Sequence, residues 1–250
     1  MFKAELNDTK LLKDSLQAIS NLISEGRFKV REDGLNLVAA DPAMVALVDF
    51  SLEKDAFDSY EVDEEGEIGV NLEKLYSILR RANSDDTVTL ELDDESKLVL
   101  KMENNSTRTF SIPLLNIDDE DVPSTDNLKF SVEADFRSSV FSDGVGDAQV
   151  VGDSVTIEAD GEAVTIRAEG DNSNAEFRIE KGSDGLMELS GDGTVKSMFS
   201  LDYLNKMMKA EKLSDTMTVR LGDDFPMRMD FEVPDKLKLG FILAPRIEEE

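Results

Sequence analysis

Four segments of the chain carry apolar residues at the i, i+3, i+4, i+7 spacing of an amphipathic helix. They cover residues 10–24, 72–82, 134–141 and 201–211. In the first of them, Leu12, Leu16 and Ile19 line the predicted buried face. The third is the weakest and is predicted to end at Gly144 and Gly146, because glycine is the preferred residue just after a helix.

The rest of the chain alternates apolar and polar residues between turn formers, which predicts β-strands. The predicted strands are residues 2–6, 27–31, 35–39, 45–52, 66–70, 87–92, 97–103, 107–114, 128–133, 148–151, 154–159, 164–169, 175–180, 195–200, 216–221, 227–233 and 237–243. The turns Glu32-Asp33-Gly34 and Asp160-Gly161 each lie between two such strands and predict hairpins. The predicted fold class is α+β.

A helix, a polar turn and a strand occur twice, 129 positions apart. The helix that begins at Leu72 reappears as the helix that begins at Leu201, with apolar residues at the same places. The turn after each helix also repeats, as Asp86-Thr87-Val88-Thr89 and Asp215-Thr216-Met217-Thr218. The opening strand repeats more faintly, with residues 2–6 aligned on residues 130–134. We infer that a unit of about half the chain has been duplicated.

An acidic segment without helical or strand period, residues 116–127, lies between the two copies and predicts a connector. The expected organisation is a first domain over residues 1–115, this connector, and a second domain over residues 128–250. A chain of 250 residues is long enough for each of two domains to bury its own core.

The formal net charge is −28, from 27 lysines and arginines against 55 aspartates and glutamates spread along the chain. Such a surface repels itself in dilute buffer, whereas molar salt shortens the screening length to about 3 Å. We therefore favour a halophilic, salt-adapted acidic protein over an ordinary acidic protein of the cytosol, which is the alternative.

Cysteine and histidine are both absent, which removes disulfides, thiolate metal sites and the commonest general base. No phosphate loop or nucleophile motif accompanies the acidic pairs Asp93-Asp94, Asp118-Asp119 and Asp223-Asp224, so no metal site, cofactor or catalysis is predicted. No run of 18 apolar residues and no signal-like N-terminus occur. A cytoplasmic protein that is not an enzyme is expected, with a salt-dependent acidic enzyme as a rival.

Four short segments stand out in their order and spacing. They are Gly69-Val70-Asn71-Leu72, Gly146-Asp147, Tyr203-Leu204-Asn205 and Leu243-Ala244-Pro245-Arg246-Ile247. With these segments the whole chain resembles proliferating cell nuclear antigen (PCNA), the family of DNA sliding clamps of archaea and eukaryotes. The resemblance implies a ring-shaped homotrimer of two similar clamp domains per chain, with antiparallel sheets outside and helices lining a central hole. It also implies a processivity factor that encircles duplex DNA and tethers replication and repair proteins.

In such a ring the polar helix faces would contact phosphates without reading bases. The basic residues on or beside the four helices are Lys10, Lys13, Lys74, Arg80, Arg81, Arg137, Lys206, Lys209 and Lys212. Ordinary helix solvation explains the same residues without DNA. Four aspartates lie on or next to these helices: Asp14, Asp135, Asp143 and Asp202. Electrostatic attraction is therefore expected to be weak, and retention on DNA to be topological.

The resemblance further implies that the last strand of the first half pairs with a strand in the second half of a neighbouring subunit. The corresponding residues are Arg108, Phe110, Ile112, Glu176, Phe177, Arg178 and Ile179. Ion pairs of Arg108 and Arg178 with Glu176 and Glu180 are expected to add to this interface, although exposed pairs contribute little. The alternative is that both strands are ordinary internal strands.

A client-binding pocket beside the connector is also implied by the resemblance. Its residues are Ala40, Met44, Leu47, Val122, Pro123, Pro226, Ile242, Ala244, Pro245 and Ile247. Core packing is the preferred interpretation of Leu47, and Ile242 replaces a residue that is often aromatic in the family. The expected clients are DNA polymerase, flap nuclease, DNA ligase and an ATP-driven clamp loader, which bind by short apolar and aromatic motifs. Association with the nucleoid follows, and a subunit of a heteromeric clamp is the alternative.

Overall fold

The computed structural model describes residues 2–93, 97–117, 125, 127–191 and 193–247. The chain divides into two compact units. The first comprises Met1–Pro42, Val48–Val122 and Val233–Leu239, and the second comprises Ala43–Leu47, Pro123–Glu232 and Gly240–Glu250. Each unit is therefore built mainly from one half of the sequence and takes one short segment from the other half.

The helices and strands of the first half follow one another in a strand, helix, strands, helix, strands order. They are β1 (Phe2–Leu6), α1 (Lys10–Ser20), β2 (Glu25–Arg31), β3 (Gly34–Ala40), β4 (Ala46–Glu53), a 3-10 helix (Lys54–Ala56), β5 (Ser59–Val62), β6 (Gly66–Asn71), α2 (Leu72–Leu79), β7 (Thr87–Leu92), β8 (Lys97–Glu103) and β9 (Thr107–Pro113).

The second half repeats this order. Its elements are β10 (Val132–Arg137), α3 (Ser138–Gln149), β11 (Ser154–Ala159), β12 (Ala163–Glu169), β13 (Asn174–Glu180), β14 (Leu186–Gly191), β15 (Val195–Ser200), α4 (Leu201–Met207), a 3-10 helix (Met208–Lys212), β16 (Thr216–Leu221), β17 (Met227–Val233) and β18 (Leu237–Leu243).

Both units have the same strand order around their opening strand. In the first unit the antiparallel order is β5-β1-β7-β8-β9, and β4-β3-β2-β6 lie side by side. In the second unit the corresponding orders are β14-β10-β16-β17-β18 and β13-β12-β11-β15. Among the described strands, β9 and β13 stand at the end of their orders, so each has one edge without a strand partner.

The register of the opening strands corrects one expectation. Leu6 of β1 lies opposite Val88, and Phe136 of β10 lies opposite Met217. Phe2 therefore corresponds to Val132, and the predicted alignment of residues 2–6 on residues 130–134 was wrong. The side chain before the strand, Phe130, instead packs edge-on against a second phenylalanine ring at 5.8 Å between centroids.

The third predicted helix was also wrong. Residues 132–137 form strand β10 with alternating burial, and α3 begins only at Ser138. This helix continues through Gly144 and Gly146 to Gln149, which also excludes the predicted strand over residues 148–151. Gly144 is accommodated inside the helix because side chains of β12 and β13 approach it closely. The short strands β5 and β14 were not predicted.

The repeated helices bury the same positions, as the duplication predicts. The buried residues are Leu72, Leu75, Ile78 and Leu79 in the first copy and Leu201, Leu204, Met207 and Met208 in the second. Burying each such side chain contributes about 1.5–3 kcal/mol. In the first unit α1 packs beside α2, and in the second unit α3 packs beside α4.

After strand β9 the chain runs beside strand β6. The Leu115 backbone N–H donates to the Gly69 carbonyl at 2.8 Å. A Cβ at position 69 would lie 2.2 Å from the Leu115 carbonyl oxygen. Glycine is therefore required at this close approach of two backbones, which accounts for the first of the four distinctive segments.

Candidate DNA-facing and partner-binding surfaces

In the first unit, all five predicted DNA-facing cations belong to one helix pair, α1 and α2. Lys10 and Lys74 are exposed in the first turns of their helices, and Lys13 is half-buried. Arg80 and Arg81 are exposed directly after the last residue of α2. Cations are favoured at this end because helix dipoles leave partial negative charge there.

In the second unit, the predicted cations concentrate on α4 and the 3-10 helix that follows it. Lys206 Nζ donates to Asp202 at 2.7 Å and lies 5.4 Å from the centre of the Tyr203 ring. Lys209 and Lys212 are exposed. Part of the positive charge of α4 is thus neutralised by its own first turn.

Helix α3 itself presents no lysine or arginine. Arg137 is exposed just before the helix, and its Nε donates to the Asp184 carbonyl at 3.3 Å. The exposed residues of α3 and its C-terminal cap are Ser139, Asp143, Gly146, Asp147, Gln149 and Val150. This helix therefore offers an acidic and small-residue face where the other three helices offer cations.

Two of the four aspartates near the helices are not exposed. Asp14 lies on α1 as predicted but is only 8% exposed, four residues before Ala18 on the buried stripe. Asp135 is half-buried and accepts a hydrogen bond from a threonine hydroxyl of β16 at 2.7 Å. Of the four aspartates, Asp143 and Asp202 remain exposed.

An ion pair between a buried aspartate and a half-buried arginine, which the sequence did not reveal, joins the edge strand β9 to the end of α2. Arg108 Nη1 donates to the Arg81 carbonyl at 2.9 Å, and Nη2 donates to the Asp86 carboxylate. Asp86 also accepts the Asn83 backbone N–H at 2.6 Å. The Asn83 N–H and the charge of Arg108 hold the pKa of Asp86 below its usual value. The sequence pattern indicates Asp86 only as part of the repeated turn.

The two edge strands β9 and β13 have matching alternation. Both are seven residues long with the same exposed and inward-facing positions. The inward-facing residues are Arg108, Phe110 and Ile112 on β9, and Ala175, Phe177 and Ile179 on β13. Phe177 lies against α3, where a Cβ at Gly144 would approach its ring to 2.7 Å. Each edge strand thus has a phenylalanine and an isoleucine two residues apart on its inward face.

The expected ion pairs at these edges have partners within the chain instead. Arg178 Nε donates to Glu180 at 2.9 Å, and its Nη1 donates to Asp160 at 3.0 Å. Arg167 donates to Glu176 at 2.7 Å. Arg108 is likewise bonded within the chain, to the end of α2. These contacts therefore stabilise the two edge strands within a single chain.

Most of the predicted client-pocket residues lie in the second unit. They are Met44, Leu47, Pro226, Ile242, Ala244, Pro245 and Ile247. Ala40 is buried at the end of β3 in the first unit, and Val122 and Pro123 lie outside the described residues. Seven described residues of the predicted pocket therefore belong to one unit.

Within the second unit, the loop before β4 is joined to the C-terminal tail. The Ala244 backbone N–H donates to the Val45 carbonyl at 2.9 Å. Met44 is 56% exposed and has a φ of 56°, which is an unfavourable backbone conformation for methionine. Ile247 is 89% exposed, whereas Leu47 and Ile242 are buried. The exposed apolar side chains of this segment are therefore Met44 and Ile247.

One aspartate of each described acidic pair accepts a backbone hydrogen bond. Asp93 accepts the Lys97 backbone N–H across a turn at 2.8 Å, and Asp223 accepts the Lys196 backbone N–H of β15 at 3.1 Å. Asp94, Asp118 and Asp119 lie outside the described residues. In the described part of the chain, no helix has the length and apolar character needed to cross a membrane.

Two domains with the same strand orders and paired helices, each with an edge strand of the same alternation, are the architecture of a two-domain clamp. The family model of the PCNA N-terminal domain matches residues 1–122, and that of the PCNA C-terminal domain matches residues 122–246. The chain belongs to the PCNA family.

Relatives cover the chain almost completely. DNA polymerase sliding clamps of Thermococcus gammatolerans and Pyrococcus horikoshii are each 33% identical over 248 residues, which is 99% of both chains. The crystal structure of PCNA from Thermococcus kodakaraensis superposes with a TM-score of 0.90 at 27% identity, covering 98% of this chain and 100% of that one. Both the sequence and the fold are thus similar to those of sliding clamps from end to end.

Proposed function

We propose that the chain is a DNA polymerase sliding clamp: a homotrimeric ring that encircles duplex DNA and tethers replication and repair proteins to it. The observation that carries the proposal is the matched pair of edge strands, β9 and β13, on a chain of the PCNA family. Two different edges that pair with each other make a head-to-tail contact, and such contacts close into a ring when the rotation between subunits fits.

The interface is assigned to the inward rows of these strands together with their flanking charges. Phe110 and Ile112 of one subunit would continue the apolar row of Phe177 and Ile179 of the next. Cross-strand pairs of this kind each contribute about 0.2–1 kcal/mol, and backbone hydrogen bonds would satisfy both open edges.

The nine cations are proposed to contact DNA phosphates without reading sequence. Exposed Lys10, Lys74, Arg80 and Arg81 support this role in the first unit, and exposed Lys209 and Lys212 support it in the second. The acidic face of α3 and the Lys206–Asp202 pair oppose tight attraction. Retention is therefore assigned to the closed ring, because a ring stays on DNA even where its affinity is weak.

Adaptation to molar salt is the proposed reason for the net charge of −28. Exposed acids repel one another across subunits in dilute buffer, and salt removes this repulsion. The ring is accordingly expected to be most stable in molar KCl. A cytoplasmic, nucleoid-associated location accompanies this proposal.

Client proteins are proposed to dock at the surface formed by Met44 and the C-terminal tail. The proposed domains are residues 1–115 and 128–250, joined by a connector of residues 116–127. Polymerase, clamp loader, flap nuclease and ligase would insert short apolar and aromatic motifs. Flexible, exposed methionine suits such varied partners. Binding, not catalysis, is the proposed activity of the chain.

The first test is the solution mass by light scattering, in molar KCl and in dilute buffer. A chain of 27.7 kDa is expected to give about three times that mass in molar KCl and to dissociate as the salt is removed. A monomer in both buffers would overturn the homotrimer and favour a heteromeric clamp subunit, the second candidate function.

A further inference from the structure

We propose that Arg108 is a positioning residue that fixes the end of α2, with Arg80 and Arg81, to the edge strand β9. The proposal rests on the proposed clamp function, because it takes Arg80 and Arg81 as phosphate contacts. It adds that these contacts depend on a guanidinium that does not itself reach DNA.

The geometry gives Arg108 three connections at once. Its backbone belongs to β9, its Nη1 donates to the Arg81 carbonyl at 2.9 Å, and its Nη2 donates to Asp86. Carbonyls at the end of a helix lack partners within the helix, and a cation is the favoured partner there. One side chain therefore joins the strand, the helix end and the following turn.

The acceptor of this contact is itself held in place. Asp86 is 3% exposed at its side chain and accepts the Asn83 backbone N–H at 2.6 Å. This buried and fixed carboxylate holds one end of the guanidinium, while the Arg108 side chain stays partly exposed. Arg80 and Arg81 are exposed. Loss of the contact would remove the side-chain link between β9 and the helix end that carries both arginines.

The repeated turn of the second unit is arranged differently. The aspartate of the repeated turn, Asp215, is exposed where Asp86 is buried. Asp215 is therefore a matched control for a change at Asp86, since both substitutions remove one negative charge.

The experiment measures binding of a fluorescent 30-base-pair duplex by anisotropy against KCl concentration, in buffers where the wild-type mass is that of the assembly. Asp86→Asn keeps an oxygen for the Asn83 N–H but weakens the hold on Arg108. Charge alone would make this less acidic variant bind DNA more tightly. We expect binding about fivefold weaker than wild type and a smaller salt slope, as for the loss of one phosphate contact. Asp215→Asn should bind at least as tightly as wild type.

Arg108→Lys supplies a second variant that keeps the charge and loses the planar fork. It is expected to weaken binding in the same direction. Because Arg108 lies in the inward row that is assigned to the subunit interface, its DNA binding is compared only at protein concentrations where its mass equals that of the wild-type assembly. In the background Arg80→Gln/Arg81→Gln, Asp86→Asn should have no additional effect, because the contacts that it positions are already gone. Each variant is checked for cooperative thermal unfolding before its DNA binding is measured.

The outcomes separate this inference from the proposed function. If wild type binds the duplex and Asp86→Asn binds as tightly as Asp215→Asn, the positioning role is overturned and the contact is only structural. An additional loss in the Arg80→Gln/Arg81→Gln background would also overturn it. If wild type shows no salt-dependent association, the DNA contact of the proposed function fails, and this inference fails with it.

Discussion

The two copies of the Asp-Thr-x-Thr turn share a sequence pattern but have different surroundings in the two units. In the first unit Asp86 is buried and receives Arg108, whereas in the second unit Asp215 is exposed. The helices that precede the turns nevertheless bury the same four positions. Duplication has thus kept the packing positions and let the charges beside them change. The surface chemistry of each unit must be established separately.

Each unit has a glycine at a close approach that a Cβ would obstruct, and the two approaches differ in kind. At Gly69 the Leu115 backbone, which follows β9, approaches β6. At Gly144 the side chains of Phe177 and Ile166 meet α3. One approach is backbone against backbone, and the other is side chain against helix. Because a backbone moves less easily than a side chain, the two sites should differ in their tolerance of an added methyl group.

Gly69→Ala is expected to have the largest effect. Its Cβ would lie 2.2 Å from the Leu115 carbonyl oxygen, so either β6 or the segment after β9 must move. We expect a loss of about 3 kcal/mol in the free energy of unfolding, at the upper end for overpacking. The measurement is urea denaturation in molar KCl. The control is Gly66→Ala in the same strand, where no atom lies within 4 Å of the new Cβ. Equal effects of the two changes would contradict the close-approach account.

Gly144→Ala is expected to have the next largest effect. Its Cβ would meet Phe177 at 2.7 Å and Ile166 at 2.8 Å, which are side-chain atoms that can yield. Overpacking costs about 1–3 kcal/mol, and alanine recovers up to about 1 kcal/mol in a helix. The displaced Phe177 should also weaken assembly, measured as mass against protein concentration. Gly146→Ala, on the same helix with nothing within 4 Å, should instead be stabilising by about 1 kcal/mol.

Sequence patterns predicted those parts of the fold that depend on local periodicity. The two amphipathic helices of the repeat and most strands follow directly from apolar spacing, and the hairpin at Gly161 has the positive φ that its turn requires. Helix α3 was misplaced because its glycines suggest a helix end, whereas Gly144 serves contacts with strands distant in sequence. The helix cations were predictable as surface residues. The burial of Asp14 and the Arg108–Asp86 pair depend on tertiary neighbours, which local spacing does not encode.

Asp86→Asn and Asp215→Asn test the difference between the two turns as a function of pH. The pKa of Asp86 is lowered by the Asn83 N–H and by Arg108, so its ionised form stabilises the folded state. This stabilisation is present above the ordinary aspartate pKa of about 3.9 and is lost as the pH falls through the lower folded-state pKa. Asp86→Asn should therefore be destabilising at neutral pH and approach wild type in acid.

Asp215→Asn is the control for this pH experiment, and exposed sites of this kind usually change stability by less than about 0.5 kcal/mol. Urea midpoints at pH 7 and at successively lower pH give the comparison directly. A constant difference between Asp86→Asn and wild type at every pH would contradict the assigned ionised state. Equal behaviour of the two variants would contradict the structural difference between the turns.

Lys206→Ala should have the smallest effect, because its contact lies on an exposed helix face. The Asp202–Lys206 pair has the favourable i, i+4 order with the acid nearer the N-terminus, and both side chains are well exposed. We expect a loss of about 0.3–0.5 kcal/mol in dilute salt and no measurable loss in molar KCl, where such a pair is screened. Lys209→Ala removes the same charge two turns from the pair's acid and isolates the pair from the general charge effect. If Lys206→Ala cost as much in molar KCl as in dilute salt, the cost would come from packing of the lysine stem on Tyr203, whose ring centre lies 5.4 Å from Nζ.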